Sequence, residues 1–241
     1  MRFPPALATA AAFAAVIATP ALAAERSYSV GSYERVRVEG PFEVHIVAGT
    51  SPRASARGSD AMLSRLDLAV NGNTLVVRLG PGGWGETPKR AGNATPLVVT
   101  LSSPRITSIL LTAGAEVTAS KIAAQRLDLS VTGAGALTVD GAAADQLNAM
   151  LIGTGKLRLA GKAARARLVT NGPGAIDAAD LTVNDLTVSV EGTGETRAMA
   201  RYTAQVSTTG LGRVTVLGTP KCIVKAVADG PVVCGTPAKA H

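Results

Sequence analysis

The sequence predicts an all-β fold: a β-solenoid of the parallel β-helix kind, with coils of 18–20 residues and an irregular β cap at its N-terminal end. Three observations predict it. The first is a run of glycine pairs, Gly133/Gly135, Gly153/Gly155, Gly172/Gly174, Gly192/Gly194 and Gly210/Gly212, whose first members lie 20, 19, 20 and 18 residues apart. Ala113/Ala115 sits one period earlier and Ala228/Gly230 one period later. The second is alternation of apolar and polar residues on both sides of every pair, in one frame. Before the pairs it gives Leu127, Leu129, Val131; Leu147, Ala149, Leu151; and Leu186, Val188, Val190. After them it gives Leu137, Val139; Leu157, Leu159; and Val214, Val216. Period two is the mark of strands buried on one face, whereas a helix would need a period of 3.6. The third is composition. With 26 glycines among 241 residues and only 3% aromatics, small and branched side chains must fill the interior. A narrow coil suits that filling, and stacked coils bury a face that one coil cannot bury alone. A glycine-rich antiparallel sandwich is the competing fold.

Taken in order, residues 1–23 read as a signal peptide. Arg2 gives a positive start, Ala6 to Ala18 is apolar, Pro20 breaks the run, and Ala21-Leu22-Ala23 supplies the small residues of a cleavage site. The apolar stretch is shorter than the roughly 20 residues that span a bilayer. Removing Arg2 with the leader lowers the net charge from +7 to +6. No membrane span is expected afterwards, and the mature chain is expected in the periplasm or at the cell surface.

Residues 24–105 form the expected cap region. Val36, Val38; Val44, Ile46; Leu66, Leu68, Val70; and Leu75, Val77, Leu79 alternate there without glycine pairs. Asn71-Gly72 marks a tight turn. The stretch Gly80 to Asn93 has no periodicity and reads as a loop. Residues 106–241 form the repeats, continuous with the cap in one domain. Alanine at 113 and 115 predicts a less sharp first corner.

The chemistry-bearing residues are few. Paired carboxylates, or carboxylates stacked on adjacent coils, would mark a polysaccharide-cleaving site. The outward position five before each corner instead reads Ser108, Asp128, Asn148, Arg167, Thr187, Gln205, Ile223. Asp177, Asp180 and Asp185 read as solvated turn charge. His45 and His241 are the only histidines, so no metal site and no cofactor is expected, and no catalytic residue is assigned. No run of Lys or Arg exceeds two, which argues against a nucleic-acid partner. Trp84, the only tryptophan, lies in the glycine-rich loop near Lys89 and Arg90 and is the candidate ligand contact. Asn93-Ala94-Thr95 matches a glycosylation acceptor, a pattern that recurs by chance.

Phe42-Glu43-Val44-His45-Ile46, Pro104 before the first repeat, the serial Gly-x-Gly corners and Gly218-Thr219-Pro220 resemble the bacterial head GIN domain proteins, labelled auto-transporter adhesins. The resemblance covers nearly all of the mature chain and implies an exported β-solenoid without an established reaction. No set of amphipathic barrel strands follows the repeats, so an autotransporter barrel is not expected within this sequence. The leading expectation is a non-catalytic envelope or surface module of unknown ligand, either adhesin-like, binding a glycan or an envelope protein, or purely structural. The alternative is a carbohydrate-active enzyme working through a solenoid face.

Three expectations fix the register. Arg158, Asp177 and Arg197 fall at one outward position on successive coils, so Asp177 should lie between the arginines. Leu129, Leu151, Leu168, Val188 and Val206 should be buried. Cys222 and Cys234, the only cysteines, fall at matching inward positions around the last corner. Export favours a disulfide between them; two buried thiols are the rival reading.

Overall fold

The structure, a computed structural model, describes residues 24–80, 96–228 and 230–236. The expected signal peptide, Trp84, Asn93 and His241 lie outside the described residues.

The repeats stack as parallel coils. The arm before each corner pairs with the same arm of the next coil, in the chain of partners Leu127, Leu147, Ala166, Leu186, Ala204 and Cys222. The arm after each corner follows Val117, Leu137, Leu157, Ile176, Thr196, Val214 and Val232. This is the register that the glycine spacing predicts. Strands such as Ala136–Ile152, Lys156–Asn171 and Ala175–Glu191 are long because each carries the second arm of one coil and the first arm of the next. The unequal repeat lengths are absorbed at the back bend. The ladder slips between Val139 and Ala142, between Arg158 and Ala160, and between Ala178 and Thr182. Corners and arms stay aligned while the surplus residues are taken up in bulges at the bend, the usual way a strand accommodates an extra residue.

Each glycine of the corner pair has its own task. The first, as at Gly153 and Gly172, turns the chain at φ 109, where a side chain is strained. The second lies against the corner of the previous coil: a Cβ on Gly174 would stand 2.7 Å from the Gly155 carbonyl oxygen. The first corner departs from expectation. Ala113 turns at φ 62 and Gly114 at φ 80, so the bend is made in spite of the missing glycine and Ala113 carries the strain.

Leu129, Leu151, Leu168, Val188 and Val206 are all buried, as expected of inward positions. Thr170 and Thr196 also point inward from opposite arms, and their hydroxyls meet at 2.9 Å across the interior. Each hydroxyl thereby satisfies the other, without which burial would cost about 1–3 kcal/mol.

The N-terminal region holds more of the stack than the glycine pattern reveals. Arg35–Glu39 pairs in parallel with Ser108–Thr112 on one side and Thr74–Leu79 on the other. Glu43–Ala48 does the same between Glu116–Ser120 and Val98–Ser103. The arms at 35–39 and 43–48 are thus inserted between those at 74–79 and 98–103 and those at 108–112 and 116–120, out of chain order. Antiparallel strands then finish this end. Leu66–Asn71 folds back on Thr74–Leu79, Arg53–Gly58 lines Val98–Ser103, and Ala24–Tyr28 lines Arg53–Gly58. The short helix Asp60–Arg65 buries Leu63. Such a finish covers a parallel edge that would otherwise attract other strands.

Tyr33 locks the inserted coil in place. Its hydroxyl donates to the Ser102 carbonyl at 2.7 Å, and Ser103 Oγ donates to the Tyr33 carbonyl at 2.8 Å. Burial pushes the Tyr33 hydroxyl up to about 12, against an ordinary value of 10.0. The unfolded chain therefore loses this proton first as pH rises. The associated stability is fully present below pH 10 and is lost as pH climbs toward 12. Urea midpoints at pH 9 and pH 11.5 should show a larger alkaline loss in the wild type than in Tyr33→Phe. Equal losses would contradict the assignment.

Candidate functional site

The outer face of the first arms is a set of straight columns, one residue per coil. One column runs Arg35, Ser108, Asp128, Asn148, Arg167, Thr187 and Gln205. Within it, Asn148 Nδ2 donates to Asp128 Oδ1 at 2.7 Å. The next column runs Arg37, Leu110, Ser130, Met150, Val169 and Ser189. Ser130 is short and stands between Leu110 and Met150, so the surface dips there. The result is a groove of about 380 Å³ with Leu110, Ser130, Met150 and Val169 inside and Asp128, Asn148 and Arg167 along its rim. Met150 and Ile152 are exposed at 43% and 41%, although apolar residues at outward positions of a β-coil normally give way to polar ones.

A second, polar groove of about 780 Å³ adjoins it and shares Ser108 and Asp128. Arg35, Arg105 and Arg126 line it together with Thr107 and Gln125. Arg105 faces Glu34 at 3.6 Å, and Arg126 donates to the Gln146 side-chain oxygen at 2.8 Å. Repeat counting does not find this groove, because Arg35 reaches it only through the inserted coil. The apolar groove did leave a sequence signal: Leu110, Met150, Ile152 and Val169 break the polar outward frame.

Several other charged residues have structural partners. Asp177 lies opposite both Arg158 and Arg197, as the alignment predicts. Arg158, however, makes its ion pair with Asp180 at 3.2 Å, while Asp177 accepts from the Ala179 N–H. Asp180 stands in the bulged back bend and reaches the guanidinium from there. Asp185 accepts from Thr203 Oγ1 at 2.6 Å. His45 Nε2 sits 3.0 Å from Glu43 on a half-exposed strand face. Among the described residues, no three His, Cys, Asp or Glu side chains gather as a metal site, and no helix is long and apolar enough to cross a membrane.

Cys222 and Cys234 form a disulfide, with Cα atoms 6.3 Å apart. It joins Lys221–Ala226 to Val232–Thr236, the two arms of the last coil. Among the described residues, each arm pairs on one side only. Val224 and Val233 are correspondingly exposed, and the bridge holds together what packing holds weakly. For a separation of 12 residues the chain-entropy account gives about 3 kcal/mol. Reduction should therefore lower the melting temperature by about 6–12 °C. A melt indifferent to reductant would contradict a stabilising clasp.

A solenoid that presents regular columns and two adjoining grooves defines a class of repetitive β-scaffold. The chain belongs to the family described as "Putative auto-transporter adhesin, head GIN domain", which matches residues 32–220. It resembles the crystal structure of a putative adhesin from Bacteroides fragilis, with 21% identity and a TM-score of 0.77 over 90% of this chain and 98% of that one. A putative adhesin from Parabacteroides distasonis matches at 16% identity and TM-score 0.66, over 87% and 95% of the two chains. A putative lipid binding protein from the same species matches at 15% and 0.67, over 88% and 96%. At these identities the likeness is one of fold. No curated protein matches the chain.

Proposed function

We propose that this protein is an exported, non-catalytic envelope module of the adhesin kind, which binds a glycan or an envelope protein through the outer face of its first arms. The observation that carries this reading is the apolar groove at Leu110, Ser130, Met150 and Val169, set on a rigid ladder and rimmed by Asp128, Asn148 and Arg167. A groove of this kind pairs an apolar floor with a few polar groups that orient a ligand. Trp84 is proposed as a second contact. As the only tryptophan, it supplies a single fluorescence reporter of binding.

A glycan array and an envelope-protein array, followed by a product assay on every hit, test the reading. The expected result is binding that Met150→Asp weakens at least tenfold while the bound ligand is recovered intact. Shortened glycan products would instead establish the carbohydrate-active alternative. Processing after Ala23, read by N-terminal sequencing of the exported protein, is the expected sign of export.

A further inference from the structure

We propose that the arginine-lined groove beside the apolar one binds an anionic polysaccharide, a sugar chain carrying carboxylate or sulfate groups, laid along the solenoid axis. The proposal rests on the binding-module reading and names its ligand class.

Arg35, Arg105 and Arg126 converge on one groove. The basic character continues past it along the stack. Arg126, Gln146 and Arg165 occupy one column, and Asn148 and Arg167 continue the column that begins at Arg35. Arg165 and Arg167 line a further depression with Gln146, Asn148 and Asp185, the last of which follows Arg165 in its column and accepts from Thr203 Oγ1. Arg35, Arg126, Arg165 and Arg167 are exposed, and none has an acidic partner among the described residues. Two acidic groups in the polar groove's surroundings are already engaged: Asp128 by Asn148 and Glu34 by Arg105. Arg35, Arg165 and Arg167 therefore keep their guanidinium forks for an outside anion, and Arg126 keeps the N–H groups that Gln146 does not take; such forks match carboxylate and sulfate oxygens in pairs.

Spacing favours a polymer over a single small anion. Arg126 and Arg165 are two coils apart, about 10 Å at the strand spacing of a sheet. That is on the scale of an extended disaccharide repeat bearing one charge. Hydroxyl and amide groups between the arginines, from Thr107, Ser108 and Gln146, suit sugar hydroxyls. Neither lining includes an aromatic ring on which a nucleobase would stack, which favours a sugar polymer over a single-stranded nucleic acid.

Titration of the full chain with polygalacturonate and dextran sulfate tests the proposal, with neutral dextran, an oligodeoxythymidine and phosphatidylglycerol vesicles alongside. The expected result is polyanion binding that Arg126→Gln combined with Arg167→Gln weakens at least tenfold. The slope of log affinity against log salt should fall by about one per contact removed. Arg197→Gln combined with Arg213→Gln, on the exposed face of the second arms, should change affinity less than twofold. Circular dichroism confirms that each variant is folded. Equal losses from both pairs of substitutions, tighter binding of the oligonucleotide or the vesicles, or no binding of either polyanion would overturn the proposal. Binding of neutral glycans at the apolar groove with polyanions silent would overturn it and leave the binding-module reading standing. Silence of every ligand, including the arrays, would remove both.

Discussion

Gly174→Ala is expected to cost about 3 kcal/mol and to lower the melting temperature by about 6–12 °C, at the upper end for a buried overpacking change. The added Cβ would meet the Gly155 carbonyl oxygen at 2.7 Å, the Gly153 carbonyl oxygen at 2.8 Å and Leu151 Cδ2 at 2.8 Å. Two of these three atoms are backbone in the previous coil, which cannot rotate away as a side chain can. Relief requires the coils to separate, and separation breaks bonds such as Gly174 N–H to the Gly153 carbonyl. Gly31→Ala is the control, since nothing lies within 4 Å of a Cβ built there. It should stay within about 0.5 kcal/mol of the wild type. Thermal melts of the two variants compare the effects directly, and equal melting temperatures would contradict close packing of the corners.

Leu168→Ala is expected to cost about 2–5 kcal/mol. Leu168 has no exposed surface and pairs with Ala149 on one side and Val188 on the other, at the centre of the stack. The small neighbour at 149 leaves little side-chain bulk to close over a void. Backbone ladders hold both flanking arms at fixed spacing, so the coil cannot collapse inward. Urea denaturation should show a lower midpoint with an unchanged slope. An unchanged midpoint would place Leu168 on the surface and sink the register.

Much of the repeat region was legible because its constraints are local and recur. Leu129 and Leu151 announce burial by alternation, and Gly174 announces the corner because a side chain does not fit there. The inserted coil was not legible. Val36 and Val38 alternate like any repeat arm, but no residue at 35–39 states that its neighbours will be Thr74–Leu79 and Ser108–Thr112. That choice is made by long-range pairing, whose sequence signal is spread across three segments. The same gap hid the polar groove, since Arg35 comes near Arg105 and Arg126 only after the insertion. The apolar groove was half legible. Leu110 and Met150 stand out of the polar frame, but that they flank the short Ser130 emerges only when the columns are aligned. The Arg158–Asp180 pair was missed because Asp180 sits in the slipped back bend, where repeat counting no longer maps one coil onto the next.

The arms stack in the order 74–79 with 98–103, then 35–39 with 43–48, then the repeats in sequence. Electron-spin distance measurement tests it most directly, using label pairs that share Gln205 and place the second label at Asn148, Arg35 or Thr74. Counting ladder steps gives Asn148 three coils from Gln205, Arg35 six and Thr74 seven. At the spacing of hydrogen-bonded strands the account predicts about 14, 29 and 34 Å, before allowance for the label arms. A longer distance from Arg35 than from Thr74 would contradict the insertion, and three distances that fail to grow with the number of coils would contradict the solenoid itself.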